Sequence, residues 1–89
     1  MKRTHPLGTF RKDLKLISKR HWDLDKLHQV IALLQTNQPL LPAARPHKLH
    51  GQWAGHWECH IESDWLLIYK ITATEVLLAR TGTHADLFE

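Results

Sequence analysis

The sequence predicts an α+β fold in which an N-terminal hairpin of two helices packs on one face of a small antiparallel β-sheet. Apolar residues recur at helical spacing through residues 10–34, and after a proline-rich stretch the pattern changes to short strand-like segments. Elements segregated in this way are typical of an α+β domain. A chain of 89 residues can build one modest hydrophobic core, so we expect residues 1–89 to form a single domain.

Two amphipathic segments predict the helical hairpin. In residues 10–22, apolar side chains at helical spacing alternate with lysines, and Thr9 is a suitable N-cap. The second helix follows Asp23, which can cap it, and carries an apolar stripe through residues 24–34 before Pro39 prevents its continuation. Because the link between them is so short, we expect the two helices to pack side by side.

The remaining segments predict a connector and a sheet. Residues 39–46 contain three of the four prolines and can sustain neither a helix nor a central strand. Short strands are then expected around Leu49 and its Gly51 turn, and at residues 55–61, 65–72 and 75–81. The apolar run at residues 65–69 is typical of a central strand covered by helices on one side and partly packed on the other.

Several classes of protein are disfavoured by simple counts. The single cysteine, Cys59, cannot form an internal disulfide. No apolar run is long enough to span a membrane, and residues 1–6 lack the apolar region of a secretory signal. We therefore expect a soluble cytoplasmic protein that does not associate with a membrane.

Positive charge is concentrated in the first predicted helix. The chain has a net charge of +3, yet residues 1–22 hold seven basic side chains and one acidic side chain. Lysines and arginines that meet phosphates gain affinity by releasing counterions, so this asymmetry suggests a polyanionic partner. A solvated helix face is an equally good alternative from charge alone. We expect a surface that binds such a polyanion to include Lys12, Lys15 and Lys19.

Histidines dominate the second half of the chain and predict proton transfer. Five of the eight histidines lie in residues 47–88, and imidazole is the side chain that exchanges protons most readily near neutral pH. A zinc site would need His47 and His50 to converge with His60 or His84, which the spacing does not indicate. Cys59 lies within a strand pattern, which favours a buried structural role over a nucleophilic one.

Acid–base chemistry of this kind is suited to RNA cleavage. A base removes the proton of the 2′-hydroxyl, an acid protonates the departing 5′-oxygen, and a cation stabilises the crowded phosphate. Trp65, which follows Asp64, and Phe88 are suited to stack on RNA bases. For any one histidine, an ordinary surface or capping role is the alternative, and an inert binding module is the corresponding alternative for the chain.

Three runs of sequence carry a family resemblance. Residues 47–55 (HKLHGQWAG), 60–70 (HIESDWLLIYK) and 80–88 (RTGTHADLF) together resemble the YafQ-type branch of the RelE/ParE toxin superfamily. The resemblance extends over nearly the whole chain and implies a RelE-like fold. It also implies the toxin of a type II toxin–antitoxin pair: a ribosome-dependent endoribonuclease that cleaves mRNA in the A site and uses no metal or other cofactor.

The resemblance assigns the site residue by residue. It implies that the catalytic residues are His47, His60, Asp64 and His84. It implies that Arg80, Trp65, Phe88 and Lys48 contact RNA or its phosphates. His84 is then the expected acid, while Asp64, His47 and His60 remain alternative bases. We expect folding to gather the catalytic residues into one cleft.

The resemblance also implies partners and leaves one rival function. The expected partners are a cognate antitoxin, mRNA, and the ribosome, whose rRNA would be bound by Lys12, Lys15 and Lys19 of the first helix. A toxin–antitoxin hetero-oligomer would reach operator DNA through the antitoxin. The alternative is a ParE-like toxin that inhibits DNA gyrase by binding and has no nuclease activity; the presence of the histidine set argues against it.

Overall fold

A computed structural model describes residues 1–88 and contains one five-stranded sheet with two long helices on one face. The strands are β1 (Arg3–Pro6), β2 (His47–Lys48), β3 (Trp57–Glu62), β4 (Trp65–Ile71) and β5 (Glu75–Gly82). The helices are α1 (Gly8–Lys19), α2 (Leu24–Gln35) and α3 (His84–Phe88). The sheet order is β1-β5-β4-β3-β2. The predicted α+β class, with a helical hairpin against a small sheet, is confirmed.

The three longest strands form the predicted antiparallel meander, in which β4 pairs with β3 on one side and β5 on the other. The sequence pattern does not predict β1, which pairs in parallel with β5 and places Thr4 opposite Val76. Its residues show no apolar alternation that would mark a strand. The edge position also tolerates Pro6, which lacks a backbone N–H.

The two long helices lie close to their predicted ranges. The α1 helix begins two residues earlier than predicted, with Leu7 as its N-cap. The predicted Thr9 cap is wrong because the Thr9 hydroxyl donates instead to the carbonyl oxygen of Ala79 at 2.7 Å. The Asp23 cap of α2 is confirmed: its carboxylate accepts from the backbone N–H of Asp25 at 3.0 Å. None of the helices within residues 1–88 has the length and apolar character required to cross a bilayer.

The proline-rich connector behaves as predicted, with only a short 3-10 turn at Pro42–Ala44. The strand expected around Leu49 is displaced to the two residues of β2, because a second 3-10 turn occupies Gly51–Trp53. Gly51 has a φ of 67°, a left-handed conformation that glycine adopts without steric cost. The chain therefore turns back early and runs into β3.

The central strand β4 is buried on both faces, as its apolar run predicts. Trp65, Leu67 and Tyr69 lie in the core cluster that contains side chains of α1 and α2. Leu66 and Ile68 belong to a smaller cluster on the other face, which Leu87 of α3 helps to cover. The longest helices therefore cover one face of the sheet, while shorter segments cover the centre of the other face.

A chain of hydrogen bonds fixes Trp65 inside the larger core cluster. Its indole N–H donates to the Thr81 hydroxyl at 2.9 Å, and that hydroxyl donates to the carbonyl oxygen of Leu66 at 2.7 Å. The Trp22 ring packs against the Trp65 ring, with 5.0 Å between the ring centroids. The one polar atom of a buried indole is thus paired, as burial requires.

Replacement of Thr81 by Val should destabilise the protein, because the shape is kept while the buried indole N–H loses its acceptor. We expect the free energy of unfolding to fall by about 1–3 kcal/mol, measured by urea denaturation. The matched control is Thr74→Val, since Thr74 is exposed. Equal stabilities for the two variants would contradict the role assigned to this bond.

Candidate active site

The clearest chemical feature is a contact between Asp64 and His84, which lie twenty positions apart in the sequence. Asp64 lies in the turn between β3 and β4, and His84 is the first residue of α3. One carboxylate oxygen, Oδ1, accepts from the backbone N–H of His84 at 3.0 Å and lies 2.8 Å from its Nδ1. Because a carboxylate only accepts, the imidazole proton belongs on Nδ1, which leaves Nε2 for another partner.

These two bonds also determine the charge of Asp64. The pKa of Asp64 lies below its usual value. The largest cause is the hydrogen bond from the backbone N–H of His84, and the next is the bond from the His84 side chain. A carboxylate that holds its negative charge so readily is a weak proton acceptor at neutral pH. Asp64 is therefore better suited to orient His84 than to act as the base.

His60 and Phe88 complete a group of four residues that we call the acid–base cluster: His60, Asp64, His84 and Phe88. The ring centroid of His84 lies 6.1 Å from that of His60 and 6.4 Å from that of Phe88. Nδ1 of His60 is buried and has no hydrogen-bond partner among the described residues, so only Nε2 of this ring can meet a substrate. Phe88 is 46% exposed, which suits a stacking surface.

The cluster lies on an open surface. The side chains of His84 and Asp64 are 56% and 62% exposed, so the expected enclosed cleft is not formed around them. A groove of about 520 Å³ runs between α2, the connector and β3, and His60 is the one member of the cluster that lines it. A substrate would thus meet this site by lying across the surface.

His47 is held by other partners. Its Nδ1 lies 3.1 Å from the backbone oxygen of Arg45, and its Nε2 lies 3.3 Å from the carboxylate of Glu58. Both of these partners present acceptor oxygens, so each ring nitrogen of His47 faces an oxygen of a neighbouring residue. Sequence reasoning missed Glu58, which is only 5% exposed. The signal that marked it was an acidic residue within a strand predicted to pack against the core.

Trp65 does not reach this surface. It is 1% exposed and its indole N–H is paired inside the core, so the predicted stacking of Trp65 on RNA is wrong. Trp65 is the first residue of β4 and its ring lies in the core, whereas Asp64 lies in the preceding turn with an exposed carboxylate. Phe88 is left as the exposed aromatic ring of the group.

The predicted phosphate-binding cations lie outside the cluster. Arg80 donates through Nε and Nη2 to the Asp13 carboxylate at 2.6 and 3.0 Å, so its charge already has a counterion that sequence reasoning missed. Its Nη1 takes no part in these bonds. Lys48 follows His47 in β2, and its ammonium lies 5.7 Å from the ring centroid of Trp57. The structure does not bring Lys48 to His60 or His84.

The three lysines predicted to bind the ribosome are all exposed on α1. Lys12, Lys15 and Lys19 make no hydrogen bond or ion pair with the side chains described in residues 1–88. Their charge is therefore available to a partner.

Cys59 has the buried structural role that its position predicts. It is fully buried, and burial raises the pKa of its thiol to about 12. A thiol in that state supplies almost no thiolate at neutral pH. Within residues 1–88, no three histidine, cysteine or carboxylate side chains are grouped as a metal site.

Comparison with known proteins gives concordant results for sequence and fold. The sequence model of the family described as the bacterial toxin of type II toxin–antitoxin systems, YafQ, matches residues 2–89. The mRNA interferase toxin YafQ of Escherichia coli strain K12 is 48% identical over 82 residues, which cover 91% of this chain and 89% of the relative.

Solved structures agree over almost the full length. The toxin in the E. coli DinJ-YafQ toxin–antitoxin complex has a TM-score of 0.90 and 43% identity, covering 99% of this chain and 98% of that one. A metal-bound toxin from Helicobacter pylori has a TM-score of 0.93 and 38% identity, covering 99% and 100%. The chain therefore belongs to the YafQ family of bacterial toxins of type II toxin–antitoxin systems.

Proposed function

We propose that this chain is an mRNA interferase, an endoribonuclease toxin that cleaves mRNA in the ribosomal A site. The observation that carries the proposal is the Asp64–His84 pair with a second imidazole, His60, 6.1 Å away on an exposed surface. The E. coli relative is named an mRNA interferase toxin, which supports the same activity here.

The proposed reaction uses the RNA as its own nucleophile. The 2′-hydroxyl loses its proton to a base and its oxygen attacks the adjacent phosphorus. The bond from phosphorus to the 5′-oxygen breaks, and an acid protonates that oxygen. The products are a 2′,3′-cyclic phosphate and a 5′-hydroxyl, so atoms and charge balance without a metal or a covalent enzyme intermediate.

His84 is the proposed acid and His60 the proposed base. Asp64 fixes the His84 proton on Nδ1 and stabilises the protonated ring, whose Nε2–H can then be given to the leaving oxygen. Of the alternative bases, Asp64 holds its charge too readily, and both nitrogens of His47 face acceptors. His60 keeps Nε2 for a substrate, and its ring centroid lies 6.1 Å from that of His84, so the two rings can serve the two oxygens of one phosphodiester.

The other residues are assigned to binding. Phe88 stacks on an unpaired base. Arg80 retains Nη1 as a donor for phosphate, while its other nitrogens are held by Asp13. The whole of residues 1–89 acts as one domain, and the exposed lysines of α1 dock on rRNA.

A cognate antitoxin is the proposed partner that keeps the toxin inactive. The E. coli relative has been solved in complex with the antitoxin DinJ. By analogy, an antitoxin should cover basic or catalytic surface of this chain with acidic groups, and it would connect the pair to operator DNA.

Replacement of His84 by Ala should abolish mRNA cleavage and growth arrest, because the leaving oxygen loses its acid. A missing proton transfer costs about 10²- to 10⁴-fold in rate, measured by cleavage of mRNA on programmed ribosomes. His28→Ala, an exposed histidine on α2, is the control and should remain toxic. Both variants should still bind the antitoxin; a toxic His84→Ala variant would remove His84 from the mechanism.

A 2′-deoxy or 2′-O-methyl nucleotide at the scissile position should prevent cleavage, because the nucleophile is absent. Primer extension would map the cut on the otherwise identical message, and the end groups should be a cyclic phosphate and a 5′-hydroxyl.

Toxin treated with a chelator and dialysed should cleave at an unchanged rate on ribosomes supplied with Mg²⁺ alone. Activity restored only by an added transition metal would contradict the metal-free mechanism.

Reversal of charge at Lys15 should weaken ribosome binding, because fewer phosphate contacts release fewer counterions. The slope of log affinity against log salt should decrease by about one or more for Lys15→Glu, measured by binding to purified ribosomes at several salt concentrations. Arg3→Glu makes the same change in net charge outside α1, on strand β1, and serves as the control. Equal effects of the two variants would show that α1 is only a solvated face.

A further inference from the structure

The helix that carries His84 and Phe88 is too short to hold its own position. The α3 helix has five residues, and Leu87 is its one buried side chain. Helices of this length are unstable alone, since the conformational entropy lost in nucleating a helix exceeds the free energy gained from the hydrogen bonds of a single turn. The direction in which His84 and Phe88 project must therefore be fixed by contacts made outside the helix.

Asp86 supplies most of those contacts. Its Oδ2 accepts from Nη1 of Arg20 at 2.7 Å and from the backbone N–H of Thr83 at 2.9 Å, while Oδ1 accepts from Nη2 of Arg20 at 3.1 Å. The backbone N–H of Asp86 donates in return to the Thr83 hydroxyl at 3.1 Å. The reciprocal bonds form a capping box, and the two-pronged Arg20 contact ties that box to the end of α1.

The backbone around Asp86 is equally constrained. Its carbonyl oxygen accepts from Nη2 of Arg80 at 3.4 Å. A Cβ placed on Gly82, which has a φ of 152°, would lie 2.9 Å from the Asp86 carboxylate. The carboxylate thus packs directly against the backbone where β5 ends, at a point that only glycine fits.

The charge of Asp86 is stabilised by these partners. The pKa of Asp86 lies well below its usual value. The hydrogen bonds from the Arg20 guanidinium are the largest cause, and the contacts with Thr83 lower the pKa further. A carboxylate with a lowered folded-state pKa contributes stability above its unfolded pKa of about 4. That contribution is lost only as the pH falls through the lower folded value, so the anchor is intact at neutral pH.

We propose that Asp86, held by Arg20, is a positioning residue that fixes α3 and thereby aims His84 and Phe88 at the substrate. Asp86 itself touches no reacting atom; it acts through the Thr83 cap, which precedes His84, and through the helix. The catalytic consequence rests on the proposed function, since it assumes that His84 is the acid. The structural consequence, a fixed Asp64–His84 contact, does not.

The test compares Asp86→Ala, Arg20→Gln and Asp86→Glu in the full chain. Misplacement of a catalytic group by about 1 Å can cost about 10²-fold in rate. We expect kcat for mRNA cleavage on ribosomes to fall about 10- to 100-fold in the first two variants, and KM to rise as well because Phe88 is displaced together with His84. Asp86→Glu should largely restore kcat, because a glutamate at this position can form the same capping box.

The second readout is hydrogen exchange of the His84 backbone amide, which donates to Asp64 and needs no substrate. Exchange should be about tenfold faster or more in Asp86→Ala and Arg20→Gln, while amides of β4 keep their protection. Loss of protection of the β4 amides in Asp86→Ala would mean that this variant unfolds. The exchange rate of His84 in Arg20→Gln, a substitution at the exposed end of α1, would then decide between the expected result and its contrary.

Controls matched in charge come from the ion pair between Lys26 and Glu62, which joins α2 to the sheet at 2.9 Å and is more exposed than the Arg20–Asp86 pair. Glu62→Gln and Lys26→Gln change net charge as the test variants do, and should leave kcat and His84 exchange unchanged. Wild-type kcat in Arg20→Gln, or unchanged His84 exchange, would overturn the proposal. Failure of the wild-type protein to cleave mRNA would instead refute the proposed function, and the exchange experiment would still decide the positional role.

Discussion

The acid–base cluster depends on the pairing of one buried residue, Leu66, with two neighbouring strands. Leu66 of β4 lies opposite His60 of β3 and opposite Gly82 of β5. The chain beyond Gly82 therefore returns beside the turn between β3 and β4, where His84 meets Asp64. A slip of one residue would turn the buried side chains of β4 to the opposite faces. The hydrophobic core thus enforces the register that assembles the site.

The parts of the fold that sequence predicts are those determined by local pattern. The spacing of apolar residues locates α1, α2 and the meander, and Asp23 marks the start of α2, because these signals lie within a few residues of one another. Strand β1 and the role of Thr9 escape prediction because both depend on β5, about 70 residues away. Long-range pairing leaves no periodic trace in a short polar segment.

The site shows the same division. The sequence resemblance picks out His60, Asp64, His84 and Phe88, which the fold brings together. It also picks out Trp65, whose family position does not reveal whether its ring faces RNA or the core. Trp65 shares one face of β4 with Leu67 and Tyr69, because side chains alternate along a strand. That shared face was the signal that the Trp65 ring lies in the core. The pairing of Arg80 with Asp13 could not be predicted, since an ion pair between distant segments has no signature in either one.

The charge asymmetry of the sequence is only partly available to a polyanion. Arg20, counted among the basic residues of the first segment, is committed to Asp86, and Arg80 is committed to Asp13. Lys12, Lys15 and Lys19 remain exposed. Arginines, which form two-pronged contacts with carboxylates, here hold the scaffold together, while lysines on the outer face of α1 are left for a partner.

The parallel pairing of β1 with β5 has a consequence for biosynthesis. A ribosome makes residues 3–6 early, yet their partner strand, residues 75–82, emerges only after every other element of the sheet. Contacts between segments so distant along the polypeptide form late and slowly. The sheet therefore cannot close before β5 has been made, and the nascent chain lacks its finished architecture until then.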